Sequence, residues 1–260
     1  MWNSSVSAWH AAAIGSPDSN FPSIRRHGTQ NRSRPANARD ALRKITAECK
    51  VGFMSRADRE KWDQRYRAGA FAERTHPSAL LEDWIDRLPG GRALDLACGA
   101  GRNSLFLARR GFEVTGIDVS TAGLQRARRS ALDQGLEIVW RQQDLDDGLH
   151  CGETFNVVCL FRYFNRQLIR SLPSRLAPGG ILLAEEHLAV DADCLQMPLA
   201  GPSNPAFLVK PGELRNLTAN LEPLHQEEGI VTDPDGRQVA LSRLVATNRP
   251  AGASPSVRRR

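Results

Sequence analysis

Short apolar runs alternate with amphipathic stretches through the middle of the chain. Runs that begin at Ala93 and that span 112–118, 136–140, 155–161 and 181–185 are bounded by glycine, proline or polar residues, which predicts five strands. The stretches between them repeat apolar residues at helical spacing, which predicts intervening helices. Strands that alternate with helices predict an α/β fold with a mostly parallel sheet.

The pattern also predicts elements on either side of this alternation. Ser55 can cap a helix that runs through Trp62 and Tyr66, which are four residues apart and therefore lie on one face. A long loop at 187–210 contains three prolines, and a loop of this length is usually functional or mobile. Beyond it, two extended runs flank the turn sequence at 233–236, which predicts an antiparallel hairpin.

The first predicted strand leads into a glycine turn. Gly99 and Gly101 lack a Cβ, so the backbone can turn sharply and a ligand can lie directly against it. The helix that follows offers free N–H groups to a polar or negatively charged ligand atom. Asp118 ends the second strand 17 residues after Gly101, close to the spacing at which a carboxylate binds both hydroxyls of a ribose. These residues predict a nucleoside site.

Two residues argue against a nicotinamide dinucleotide as the ligand. The third glycine of that fingerprint is replaced by Ser104, and Asp95 precedes the first glycine by four residues, where it would repel a pyrophosphate. A carboxylate there can accept from an ammonium group, directly or through water. We therefore expect a nucleoside with a cationic, amino-acid-like end, and S-adenosylmethionine fits that description. A nicotinamide-dependent oxidoreductase is the alternative from another enzyme class.

The stretch Leu94–Ala108 resembles the first motif of class I S-adenosylmethionine-dependent methyltransferases. Its Gly-Arg-Asn-Ser-Leu continuation is most similar to the tellurite-resistance (TehB-like) and thiopurine-type small-molecule branch. The resemblance covers roughly 55–248. It implies a three-layer, Rossmann-like α/β fold whose seven-stranded sheet is mostly parallel with an antiparallel C-terminal hairpin strand. It also implies S-adenosyl-L-methionine as cofactor.

The candidate cofactor ligands lie in the glycine turn and where the predicted strands end, because ligands of such sheets bind there. With the resemblance taken into account, they are Asp95, Ala97, Cys98, Gly99, Gly101, Asn103, Asp118, Val119, Ser120, Asp144, Leu145 and Phe161. In this family an acid at the position of Asp144 commonly accepts from the adenine amino group, and a solvated loop acid is the alternative interpretation.

The acceptor pocket has candidates from several parts of the chain: Trp62, Tyr66, His76, Arg162, Tyr163 and His187. Trp62 and Tyr66 either fix their helix to the domain or lie across the cofactor site. Arg162 either anchors an anionic substrate or starts a helix in solvent. The two histidines could act as general bases, or they could be structural. No residue is predicted as a dedicated catalytic group.

Methyl transfer from a sulfonium is an in-line displacement that needs mainly a well-placed acceptor. The fourth strand is not followed by Asn/Asp-Pro-Pro-aromatic, and Cys159 has no preceding proline, which disfavours exocyclic-amine and covalent cytosine mechanisms. We therefore expect a small-molecule acceptor, with a soft sulfur, selenium or tellurium atom or a small hydroxyl. An RNA or protein methyltransferase and a catalytically silent S-adenosylmethionine-binding module are the alternatives.

The net charge of +6 belongs to the ends of the chain. Residues 1–50 carry eight Lys and Arg against three acids, and the last ten residues add three arginines, whereas the remainder has 24 basic and 26 acidic residues. Nucleic-acid binding by the body is therefore disfavoured. We expect a disordered basic extension at 1–53, a methyltransferase domain at 54–248 and a disordered basic tail at 249–260. A transit peptide and a nucleic-acid-binding arm are alternative interpretations of the extension.

Cysteine spacing and hydropathy set the remaining expectations. The five cysteines share no CxxC spacing, so neither a disulfide framework nor a metal site is predicted. No apolar run of about 18 residues is present, so no membrane span is predicted. A reducing, cytoplasmic location is expected. The sequence leaves open the acceptor and the oligomeric state.

Overall fold

The computed structural model describes residues 56–191 and 198–248, with side chains from Arg59 onward. The predicted basic extension at 1–53, the tail at 249–260 and the helix cap at Ser55 lie outside the described residues. The described α-helices are α1 (Arg56–Arg67), α2 (Ala79–Trp84), α3 (Arg102–Arg109), α4 (Thr121–Asp133), α5 (Arg166–Ser171) and α6 (Glu213–Leu217). The strands are β1 (Arg92–Leu96), β2 (Glu113–Asp118), β3 (Ile138–Gln142), β4 (Phe155–Phe161), β5 (Leu176–His187), β6 (Glu222–Thr232) and β7 (Gln238–Thr247).

The seven strands form one sheet in the order β3-β2-β1-β4-β5-β7-β6. The first five pair in parallel, whereas β7 pairs antiparallel with both β5 and β6. The predicted α/β fold, with its mostly parallel sheet and antiparallel C-terminal hairpin, is confirmed. Strand order reverses between β1 and β4, which marks the edge of the sheet at which ligands of such folds bind.

Both faces of the central strands are buried. In β4, Val158 and Leu160 belong to one apolar cluster, and Val157 and Cys159 belong to a second cluster. Side chains of a strand alternate between faces, so the two clusters lie on opposite sides of the sheet. This explains the continuous apolar run in β4, whose bounds agree with the prediction.

The edges of the predicted elements shift by a few residues. β3 begins at Ile138 instead of Leu136, and β5 extends from Leu176 through the Pro-Gly-Gly segment to His187. α5 ends at Ser171 and continues as a 3₁₀ turn at Leu172–Arg175. Pro173 accounts for this change because it cannot donate the hydrogen bond that an α-helix requires. Among the described helices, none is long and apolar enough to cross a membrane.

Candidate functional site

A cleft lies at the carboxyl ends of β1, β2 and β4, where strand order reverses. The empty space within its outline, open solvent included, is about 970 Å³. Seventeen residues line it: Trp62, Tyr66, Phe71, Arg74, Ala97, Cys98, Gly99, Ala100, Arg102, Asn103, Asp118, Val119, Gln143, Leu145, Phe161, Arg162 and Tyr163. Eight of the twelve predicted cofactor ligands and four of the six predicted acceptor-pocket residues are among them.

The glycine turn forms the floor of this cleft. Gly99 has φ +58°, and a Cβ added there would overlap the hydroxyl of Tyr66. Gly101 has φ +81°, and its Cβ would lie 2.7 Å from Cη2 of Trp140. Both positions therefore require glycine for backbone conformation and for space. Gly101 supports the turn from the side of Trp140 and does not line the cleft.

Asp118 holds the turn together from the end of β2. Its Oδ2 accepts from the Gly99 N–H at 2.7 Å, and its Oδ1 accepts from the Ser120 N–H at 2.8 Å. A carboxylate oxygen has two lone pairs, so each oxygen can still accept from a ligand. Burial raises the pKa of Asp118, although these backbone N–H groups favour its charged form. The structure thus presents a supported carboxylate to the cleft.

Helix α1 is tied to the start of α4 by Asp63. The Asp63 Oδ1 accepts from the Ser120 hydroxyl at 2.7 Å and from the Ala122 N–H at 2.9 Å, while the Ser120 hydroxyl accepts from the Gly123 N–H. Asp63 and Ser120 together satisfy free N–H groups at the N-terminus of α4. Ser120 therefore acts as the predicted helix cap and does not line the cleft.

This attachment places two aromatic residues of α1 across the cleft. Trp62, Tyr66 and Phe71 form a cluster with ring centroids 6.0–6.4 Å apart. Burial, followed by the negative charge of Asp118, raises the pKa of Tyr66 well above its ordinary value, so its hydroxyl stays protonated. Of the two interpretations of Trp62 and Tyr66, the position over the site is the one that the structure supports.

Three residues other than glycine have positive φ among the described residues, and all three line the cleft. They are Phe71 (+61°), Ala97 (+51°) and Arg162 (+63°). Bulky side chains rarely adopt this conformation, and such strain is usually found at functional sites. Ala97 and Arg162 directly follow β1 and β4, so the strained positions flank the point at which strand order reverses.

Asp95 does not line the cleft. It is 1% exposed and accepts a hydrogen bond of 2.5 Å from the Ser104 hydroxyl. Burial raises the pKa of Asp95 to about 7, while the Ser104 hydroxyl acts in the opposite direction. The predicted contact of this carboxylate with a ligand ammonium is therefore not a direct one in this structure. Ser104, which distinguished the chain from a nicotinamide fingerprint, is the hydrogen-bond partner of Asp95.

The raised pKa of Asp95 predicts a pH-dependent stability. From about pH 4 to about pH 7 the folded protein holds a proton that the unfolded chain has lost, so the free energy of unfolding should fall as pH rises. The slope from this residue is at most about 1.4 kcal/mol per pH unit and should vanish above about pH 7. Asp95→Asn cannot ionise and should lack this slope in urea unfolding curves. The exposed Asp86→Asn is the control and should retain it; equal slopes for wild type and Asp95→Asn would contradict the assignment.

Other predicted residues lie beside the cleft without lining it. Asp144 closes its own loop, because its Oδ1 accepts from the Asp146 N–H at 3.0 Å. His76 presents its backbone oxygen to Arg102, and its buried Nδ1 has no partner among the described residues. Burial, and then the positive charge of Arg162, lower the pKa of His187 to about 4, so this imidazole is neutral at pH 7. The predicted roles of these three residues are not supported by direct access to the cleft.

Arg162 is paired within the protein. Its Nε donates to Glu185 Oε1 and its Nη2 donates to Asp233 Oδ1, both at 2.8 Å. The next residue, Tyr163, donates its hydroxyl to Asp146 Oδ1 at 2.5 Å. Arg162 is therefore not a solvated helix start. Its charge is matched by two carboxylates, and its role as an anchor for an anionic substrate stays a prediction.

Five lining residues were absent from the sequence predictions: Phe71, Arg74, Ala100, Arg102 and Gln143. Ala100 and Arg102 lie in the glycine turn, so their position in the motif could have identified them. Gln143 immediately precedes the predicted Asp144. Phe71 and Arg74 belong to the irregular segment between α1 and α2, and the sequence pattern gives no signal for them.

Comparison with known proteins finds a family that matches most of the region around this cleft. The sequence model of a family described as a methyltransferase domain matches residues 93–180, which include the glycine turn, Asp118 and the end of β4. This stretch, about a third of the chain, is similar to that methyltransferase domain family. The resemblance to class I S-adenosylmethionine-dependent methyltransferases is thereby confirmed.

Individual relatives agree with this family. The chain is 32% identical over 131 residues to the ubiquinone biosynthesis O-methyltransferase of Aeromonas salmonicida, which covers 46% of this chain and 53% of that protein. It is 48% identical over 114 residues to the protein of the same name from Alkalilimnicola ehrlichii, covering 42% and 45%. The chain thus spans about half the length of the curated relatives it matches.

The fold is shared with solved structures. TehB from Haemophilus influenzae aligns with a TM-score of 0.56 at 22% identity, over 68% of this chain and 65% of that one. At this level of identity the likeness concerns the fold, which is the one that the sequence predicts.

Proposed function

We propose that this chain is an S-adenosylmethionine-dependent methyltransferase whose acceptor is a hydroxyl oxygen of a small molecule. The observation that carries the proposal is the cleft, in which a glycine turn and the Asp118 carboxylate meet where strand order reverses. The match of residues 93–180 to a methyltransferase domain family supports the reaction type. The relatives named O-methyltransferases support oxygen as the acceptor atom, over the part of their length that aligns.

The residues that line the cleft fit S-adenosylmethionine in their chemistry. Asp118 offers carboxylate oxygens to the ribose hydroxyls, and Val119 and Leu145 offer apolar surface on which the adenine can lie. Ala97, Gly99 and Ala100 line the cleft with small side chains or none, so a ligand can lie close to the backbone of the turn. When bound, the cofactor would supply a methyl group already activated by its sulfonium.

The residues of the chain then have to orient the acceptor. Phe161, Arg162 and Tyr163 follow β4 and lie beside the turn, so they would bound the acceptor side of the cleft. Tyr163 donates its own proton to Asp146, so its oxygen remains able to accept from the hydroxyl of an acceptor. Among the described residues that line the cleft there is no histidine or lysine, so orientation and exclusion of water are the chain's main contributions.

One experiment distinguishes the proposed function from three alternatives. Purified protein is titrated with S-adenosylhomocysteine in a calorimeter and is then incubated with tritium-labelled S-adenosylmethionine and separate acceptor pools. We expect binding, and label in small phenolic or alcoholic compounds. Label in thiols, selenite or tellurite products alone would instead support the soft acceptor. Label in RNA or protein alone would support a macromolecular substrate, and binding without transfer would support a silent module.

A further inference from the structure

The hairpin of β6 and β7 extends past the end of the parallel strands, at the edge of the sheet where the cleft lies. β5 ends at His187, which pairs with Leu241, whereas the hairpin continues to the pair of Thr232 with Gln238. Gln238 lies three residues before Leu241 in β7, which corresponds to about 10 Å. The turn at 233–236, which we call the hairpin tip, therefore projects beyond the carboxyl end of β5.

Two carboxylates of the hairpin tip hold arginines that line the cleft. Asp233 Oδ1 accepts from Arg162 Nη2 at 2.8 Å, and Asp235 Oδ2 accepts from Arg74 Nη2 at 2.7 Å. Arg74 Nη2 also lies 3.9 Å from Asp233 Oδ2. Arg162 directly follows β4, and Arg74 belongs to the segment 68–78 between α1 and α2. The hairpin tip thus connects two parts of the cleft wall that are far apart in the sequence.

The segment 68–78 has a strained backbone where it borders the cleft. Phe71 lines the cleft with φ +61°, and Cζ of Arg74 lies 5.4 Å from the centre of the Phe71 ring. A residue other than glycine keeps such a conformation only where surrounding contacts hold it. One of these contacts runs from Arg126 to the Ala70 oxygen at 2.8 Å. Arg74 adds a contact on the other side, to the hairpin tip.

We propose that Phe71, Arg74 and the hairpin tip form a closed rim that limits the size of the molecule able to enter the acceptor side of the cleft. The inference rests on the proposed function, because it takes that molecule to be the methyl acceptor. Arg74 is the side chain that blocks the opening, and Asp235 is a positioning residue that holds it there. An arginine without its partner samples many rotamers, so loss of Asp235 would leave the rim open for part of the time.

Both parts of the rim lie outside the stretch 93–180 that matches the methyltransferase family. The family match therefore describes the glycine turn and the strand ends, while the size limit is set by the segment 68–78 and by the hairpin tip. A closed rim favours a compact acceptor, and the same cleft with an open rim would admit a larger one.

Cys98 can report on passage through the rim, because it lines the cleft and is 8% exposed. The protein without ligand is treated with N-ethylmaleimide or with the much larger N-pyrenylmaleimide, and mass spectrometry of the Cys98 peptide gives each alkylation rate. Each rate is divided by that of glutathione, which corrects for the reactivity of the reagent. Burial, followed by the charge of Asp95, raises the pKa of the Cys98 thiol and slows both reagents alike. The ratio of the small to the large reagent therefore measures selection by size.

We expect the wild-type protein to favour the smaller reagent strongly, and Arg74→Ala to lower the ratio most. Asp235→Ala keeps Arg74 but removes its nearest partner, so the ratio should fall by about 2- to 5-fold, the range for a partly exposed ion pair. The double variant should match Arg74→Ala, because Asp235 acts through Arg74. Arg237→Gln is the control: it changes the more exposed arginine that also contacts Asp235, and it should leave the ratio unchanged.

Cys159 distinguishes an open rim from a loosened fold, because it is 0% exposed within β4. If Cys159 becomes reactive in the same proportion as Cys98, the variants have lost local structure and the inference is overturned. Equal ratios in wild type and Arg74→Ala, or additive effects of Arg74→Ala and Asp235→Ala, would overturn it as well. None of these rates depends on S-adenosylhomocysteine, so the titration described above tests the proposed function separately.

Discussion

Replacing Asp118 with alanine is expected to weaken binding of S-adenosylhomocysteine by about 10- to 100-fold, or roughly 1.4–2.8 kcal/mol. The variant loses the carboxylate that faces the ribose from the end of β2. Calorimetric titration of the wild-type and variant proteins measures the effect. Glu113→Ala, at the exposed start of the same strand, should bind as the wild type does.

Asp118 also supports the glycine turn, so part of the loss of affinity could come from a change in the turn. Its two oxygens accept from the N–H groups of Gly99 and Ser120, and alanine removes both bonds. Asparagine would not repair this, because its amide nitrogen would face one of these donors. A direct contact therefore has to be separated from support of the turn by changing the ligand as well as the protein.

Ribose-modified ligands provide that separation. In wild type, 2′-deoxy and 3′-deoxy S-adenosylhomocysteine should bind more weakly than the parent compound. In Asp118→Ala, removal of the same hydroxyls should cost little further affinity, because their partner is already gone. If the two losses simply add, Asp118 acts through the turn alone, and its assignment as a ribose ligand is wrong.

The parts of the site that the sequence predicts are those set by short stretches of chain. Gly99 and Gly101 are identified because a sharp turn between a strand and a helix demands glycine locally. Asp118 is identified because the length of one helix and one strand fixes its distance from the turn. The buried strand β4 is identified because a continuous apolar run has few other structural explanations.

The parts that the sequence does not predict depend on contacts between distant residues. Asp63 caps the start of a helix that begins 58 residues later in the chain, and only the folded structure shows that its carboxylate reaches Ala122. Arg74 enters the cleft from an irregular segment in which Phe71 has positive φ, a conformation that no hydrophobic pattern encodes. Arg162 looks like a free cation in the sequence, since its partners Glu185 and Asp233 come from other elements.

Asp95 is a further residue whose contacts the sequence does not predict. Its position at the end of β1 predicts a ligand contact, but the alternation of side chains along the strand places Ala93 and Asp95 together on one face of the sheet. There Ser104 of α3 takes the carboxylate. A spacing rule locates the residue along the chain without showing which way its side chain points.

Glu185→Ala is expected to lower the free energy of unfolding by about 3 kcal/mol, the largest loss of stability that we predict. The Glu185 side chain is 2% exposed and links β5 to β7 and to the residue that follows β4, because Oε1 accepts from Arg162 Nε and Oε2 accepts from Arg243 Nε, both at 2.8 Å. Removal of the carboxylate leaves two largely buried guanidinium groups that share no acid. Each keeps one other partner, Asp233 for Arg162 and Glu227 for Arg243, which holds the loss near the lower end of the range for broken buried pairs.

The control for this prediction uses the other partner of Arg243. The Glu227 side chain is 48% exposed and lies 3.4 Å from the Arg243 guanidinium, so Glu227→Ala should cost less than about 1 kcal/mol in urea unfolding. Glu185→Gln keeps the volume and one acceptor oxygen and should fall between the two. Equal losses for the Glu185 and Glu227 variants would show that Glu185 does not hold these elements together. A large loss of stability for the Glu185 variants alone would mean that this carboxylate has two roles. It fixes Arg162 in the wall of the cleft, and it stabilises the contact between the parallel strands and the C-terminal hairpin.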